Sequence, residues 1–220
     1  MKILEDLFDK VIIRYTLLPL FISLVFWGVI LILFGGNLLH LIGEYAKVLP
    51  YGETIENLIN SAGWIVLIIL YYLLSISTLG VFSSFFIDHI VLRINEKHFN
   101  CTPRETSWKD TLYGLWVSIK AFLIYIVLFI FTFWMLFIPV LNIFYQLFMW
   151  SVLNKKPLIF DSSYLFFDPK KIEEELGIKA WIVVFLTSLV YFIPIVSWFG
   201  YTIQLIFMCH VVLKKCVTKI

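Results

Sequence analysis

Arg14 sits in the run DKVIIRYTLLPLFISL, at the entrance of a long stretch without charge and five residues before Pro19. A guanidinium is a fixed fork of donors that matches the oxygens of a tetrahedral anion. A proline removes a helix hydrogen bond, so backbone groups near a helix start could join Arg14 in an anion site. The competing reading is an arginine that snorkels to lipid phosphates. His40, His89, His98 and His210 show no metal-ligand spacing. Cys101, Cys209 and Cys216 are odd in number and lack a CxxC spacing, which predicts reduced thiols. The phosphate-loop, GxSxG and HExxH patterns are absent, and the uncharged stretches carry no paired aspartates. The expectation is a protein with no catalytic residue, metal or cofactor and no nucleic-acid partner.

The elements that position Arg14 belong to a membrane protein. The chain is 61% hydrophobic and 19% aromatic, more apolar surface than a water-soluble globule of 220 residues could hide. Residues 15–43, 57–87, 121–154 and 180–213 carry no Asp, Glu, Lys or Arg, and each exceeds the roughly 20 residues that span a bilayer as helix. Backbone groups in lipid must be satisfied within the segment, and the alternation of a barrel is missing, so the expected fold is all-α and polytopic. The N-terminal MKILEDLFDK, with three acids and no small-residue cleavage site following, reads as an anchor lead-in and not as a signal peptide. Glu44, Glu53 and Glu56 against Lys47 place the 44–56 connection outside, with the other polar segments on the cytoplasmic side.

Stretches 15–43 and 57–87 read as single transmembrane helices. Stretches 121–154 and 180–213 begin and end at lysines and carry a central proline, Pro139 in FIPVLNIF and Pro194 in FIPIVSWF. Each reads as a re-entrant helical hairpin that reverses at its proline, with Asn142 and Ser197 placed to cap freed backbone groups at the tips. Two ordinary spanning pairs with greasy turns are the alternative. Amphipathic surface helices precede both hairpins. TPRE predicts one over about 102–119, with Thr102 as cap, and DPKKIEEELG another over about 169–176, with Asp168 as cap and Gly177 as stop.

IRYTLLPLFIS at 13–23, SSFFIDHIVLRINE at 83–96, FIPVLN at 137–142 and FIPIVS at 192–197, in this order, resemble the CysZ-type sulfate permeases, which share a membrane domain with the etoposide-induced proteins. The resemblance implies two long transmembrane helices, two partly penetrating hairpins, a homo-oligomer in membrane lipid, and uptake of sulfate or a similar oxyanion across the bacterial inner membrane for cysteine synthesis. It implies an anion-binding role for Arg14, with Pro19, Asp88 and Arg93 at matching motif positions. Val11, Ile12 and Ile13 stand where the family pattern has glycine, leucine and a first arginine, and Phe85, Phe86 and Ile87 replace its Pro-Phe-Asn. A noncatalytic membrane scaffold of the same fold is the second reading.

Overall fold

The computed structural model describes residues 2–46, 52–83, 85–132, 134–135, 138, 140–193 and 195–218. Pro139 and Pro194 lie outside the described residues. The order is α1 (Lys2–Leu7), α2 (Lys10–Ala46), α3 (Gly52–Ser83), α4 (Ile87–His98), α5 (Trp108–Thr132), α6 (Leu141–Ser163), α7 (Pro169–Thr187), 3-10 turns at Ser188–Phe192 and Val196–Phe199, and α8 (Gly200–Thr218). Among the described residues no strand occurs, and four helices, Lys10–Leu41, Trp108–Thr132, Pro169–Phe192 and Val196–Val217, are long and apolar enough to cross a membrane. The fold is all-α. The chain divides into two compact units, residues 17–85 and residues 1–16 with 86–220.

In the unit of residues 17–85, lipid-compatible helices are held by small polar groups. Ser23 Oγ donates to the Ser75 carbonyl at 2.9 Å, Trp27 Nε1 to Thr78 Oγ1 at 2.8 Å, and the Tyr71 hydroxyl to the Leu24 carbonyl at 3.1 Å. Such bonds replace the hydrophobic drive that is missing where both solvent and side chains are apolar. Outward, Phe21 and Ile32 stay exposed, as a lipid-facing surface requires.

The other unit is built around α8, which packs against α1, α4, α6 and α7. Val91, Ile94, Leu158, Ala180, Val184, Leu205, Met208 and Val212 are fully buried in its core. The α5 and α6 helices pack antiparallel, with Thr132 Oγ1 donating to the Tyr145 hydroxyl near the reversal at 3.0 Å and Lys120 and Lys156 lining one cleft at the other end. Close approach of this pair requires Gly114, where an added Cβ would fall 2.3 Å from Phe160 Cε1. Lys215 and Glu175 form an ion pair, bringing together the charged ends that flank the second uncharged stretch. Asp168 caps α7 by accepting from the Lys170 amide at 3.0 Å, with Pro169 in the first turn. The helix bends at Gly177 (φ 45°), a backbone region that favours glycine, and then continues to Thr187.

Two local expectations are corrected. The helix expected from Thr102 begins at Trp108, because other partners claim the segment before it. Asn95 bonds both backbone groups of Cys101, and Arg104 donates its amide to the Leu165 carbonyl and its Nε to the Tyr164 carbonyl. The start is instead set by Asp110, which accepts from the Ser107 amide at 3.0 Å. The expected reduced thiols are also overturned at two of three positions. Cys101 and Cys216 form a disulfide across 115 residues of sequence, leaving Cys209 as a buried thiol. Folding brings the pair together through the packing of α4 on α8, which no local spacing reports.

Candidate functional site

The turn between α1 and α2 is a charged cluster. Asp9 caps α2, accepting from the Val11 amide at 2.9 Å, while Arg93 reaches Asp9 Oδ2 from α4 through Nε and Nη2, both at 3.3 Å. The fully buried Asp6 carboxylate faces Lys97 Nζ at 2.9 Å, His98 Nε2 at 2.8 Å and His210 Nε2 at 2.7 Å. Burial by itself pushes the Asp6 carboxyl up, yet the bonds from His210, Lys97 and His98 outweigh it and hold the group below its usual value. The same contact with Asp6 raises Lys97. Two carboxylates, Asp6 and Asp9, thus balance two cations, Arg93 and Lys97, and ring nitrogens of His98 and His210 complete the bonding around Asp6.

Asp6, His98 and His210 could together offer three metal-ligand atoms, all within 4.8 Å of one another. An ion there would add positive charge to a carboxylate already neutralised by the Lys97 ammonium, so the arrangement fits a structural lock better than a metal centre.

Arg14 lies exposed on α2, one turn after Lys10, and neither has a carboxylate partner among the described residues. Pro19 is buried inside α2. It cannot donate to the Tyr15 carbonyl, so the group it frees is an acceptor, while Asp9 already occupies the start of the helix. An anion at Arg14 would be held by the guanidinium without help from the first-turn amides.

The other sequence-selected positions take packing roles. Asp88 accepts from the Tyr164 hydroxyl, tying α4 to the end of α6, and Arg93 ties α4 to Asp9. Asn142 Oδ1 accepts from Gln146 Nε2 at 2.5 Å, and its amide donates to the Ile138 carbonyl at 2.9 Å. Ser197 is buried, with its amide donating to the Ile193 carbonyl at 2.8 Å.

Sequence reasoning missed the polar interior between the hairpins. Asn154 Nδ2 donates to Gln204 Oε1 at 2.9 Å and to the Tyr191 hydroxyl at 3.1 Å, and Gln204 Nε2 donates to Ser188 Oγ at 3.0 Å and the Val184 carbonyl at 3.2 Å. Beyond it, the Tyr201 hydroxyl donates to Asp161. Burial, reinforced by the charge of Asp88, pushes the Asp161 carboxyl up to about 7, although the Tyr201 bond opposes the shift. The available signal was Gln204 itself, since an amide inside an apolar stretch needs partners and faces a protein interior.

Neither a curated protein nor a solved structure matches this chain. A family described as Sulfate transporter CysZ/Etoposide-induced protein 2.4 does match, over residues 1–208, taking in α1 through the first half of α8. With four membrane-length helices and this match over nearly its whole length, the chain is a multi-pass membrane protein that belongs to the CysZ/etoposide-induced protein 2.4 family.

Proposed function

We propose that the protein is a noncatalytic permease of the bacterial inner membrane that takes up sulfate or a related oxyanion for cysteine synthesis, as a homo-oligomer. The family match over residues 1–208 carries this reading. Arg14 is the proposed anion contact, supported by its exposure and its lack of a carboxylate partner among the described residues. Labelled sulfate uptake into proteoliposomes tests it. Flux above empty vesicles is expected, falling several-fold with Arg14→Ala, and absence of flux from the purified protein sinks the reading.

We also propose that residues 121–154 and 180–213 are re-entrant. The reading is supported by the lysines at both ends and the central Phe-Ile-Pro of each stretch; the whole helices Trp108–Thr132, Pro169–Phe192 and Val196–Val217 are each long enough to cross a bilayer, so the depth of the tips decides between re-entrant and spanning pairs. Cysteines introduced by Asn142→Cys and Ser197→Cys should escape an impermeant thiol reagent added from outside. Ready labelling of both would establish full spans.

A second reading, a membrane scaffold without transport, is favoured by Val11, Ile12 and Ile13 in place of the family's glycine and arginine and by the Asp9 carboxylate at the start of α2. It predicts co-purifying partner proteins and no sulfate flux.

A further inference from the structure

Where the first hairpin meets α7, the larger unit has a cleft of about 130 Å³ whose lining includes Tyr113, Trp116, Lys120, Lys156, Lys170 and Glu173. Its charges do not balance. Glu173 is shared between Lys156 at 3.4 Å and Lys155 at 3.9 Å, whereas Lys120 and Lys170 have no carboxylate partner among the described residues. Lys170 Nζ instead lies 5.8 Å from the centre of the Tyr113 ring. Three ammonium groups therefore line a cleft with one carboxylate, itself drawn on by a fourth cation outside the lining.

The position of the cleft says what kind of anion suits it. Lys120 is the last charge before the uncharged stretch 121–154, and Lys156 stands just after that stretch, so the cleft opens where the apolar surface begins. Trp116 is 58% exposed and Tyr113 40%, the amphipathic rings found at the level of lipid headgroups. Further along α5, Ile119, Leu123 and Ile130 are exposed and apolar, a surface for acyl chains. A free phosphate or sulfate ion would use the lysines alone. A phosphodiester with acyl chains uses the lysines, the rings and the apolar face together.

We propose that this cleft binds the phosphate headgroup of an anionic phospholipid. The site is independent of Arg14 and of anion transport. The test titrates delipidated protein in detergent with phosphatidylglycerol, with phosphatidylcholine of the same chains, and with inorganic phosphate, reading bound lipid by native mass spectrometry and stability by thermal unfolding. Phosphatidylglycerol should bind at least fivefold more tightly than phosphatidylcholine. The combined Lys120→Ala, Lys156→Ala and Lys170→Ala variant should lose that preference. Glu173→Gln, which removes the competing carboxylate, should strengthen phosphatidylglycerol binding two- to threefold, a gain that misfolding cannot produce. Equal binding of the two lipids by the wild type, or a preference unchanged in the lysine variant, overturns the proposal. Millimolar inorganic phosphate that displaces phosphatidylglycerol completely overturns it too, and assigns the cleft to a free oxyanion.

Discussion

The two stretches that look alike in sequence are treated very differently by the fold. Both run between lysines, lack charge and centre on a Phe-Ile-Pro. Yet the most apolar window of α5, the entering helix of the first, is 11% buried, and that of α8, the returning helix of the second, is 56% buried. The first hairpin offers α5 outward and buries mainly the far half of α6, from Ser151 through Ser163. The second carries Ser188, Tyr191 and Gln204 into a shared polar interior, and its α8 forms the axis on which α1, α4, α6 and α7 pack. Apolar length alone does not separate a lipid-facing helix from a core helix, because both are apolar all round. The polar residues inside the stretch separate them, since each must find a partner within the protein.

Breaking the covalent tie of the second hairpin should have the largest effect. The Cys101–Cys216 disulfide fixes the end of α8 to the segment before α5 and closes a long loop. Cys216→Ser should lower stability by about 4–5 kcal/mol, as loss of loop-closure entropy predicts for a loop of this length. Thermal unfolding in detergent reads this, and wild type with reductant should match the variant. An unchanged midpoint in both would show that the hairpin is held by packing alone.

The next contrast sets one glutamine in each hairpin against the other. Gln204→Leu would leave Asn154 and Tyr191 short of an acceptor in a buried site, at a cost of about 2–3 kcal/mol. In the first hairpin, the side chain of half-buried Gln146 bonds, among the described residues, only Asn142 one turn away, and Gln146→Leu should cost less than about 0.5 kcal/mol. Equal losses in the two would abolish the distinction between an interior and an outward hairpin.

The architecture was legible because its signals are local. Uncharged length fixes a membrane helix, and Asp168 followed by Pro169 fixes the start of α7. The TPRE run carries an equally good start signal, but the tertiary bonds of Cys101 and Arg104 outweigh it, and helix propensity of a few tenths of a kcal/mol cannot compete with them. Arg14 could be singled out as an exposed cation at the edge of a membrane segment. What surrounds it could not, since Asp9 acts as its helix cap only in the folded turn. The Asp6 cluster joins residues from α1, α4 and α8, and no spacing in the chain announces such a meeting.

The smallest expected effect concerns Asp161, which closes the return of the first hairpin and is held by Tyr201 of the second. Its carboxyl ionises near 3.8 in the unfolded chain and at about 7 in the folded protein. Between those values the folded state keeps a proton that the unfolded state has released. Stability must therefore fall as pH rises from about 4 to 7 and then level off, the opposite of a paired carboxylate such as Asp6. With solvent near this half-buried group, the slope should total on the order of 1 kcal/mol across the window. Asp161→Asn keeps an acceptor for Tyr201 and removes the titration, so the variant's unfolding midpoint should lose this component of pH dependence. A wild-type curve that rises through this window, or one whose shape Asp161→Asn leaves unchanged, would mean that the hairpins meet at an ionised carboxylate open to water, and the contrast between an outward and an interior hairpin would stop at Gln204.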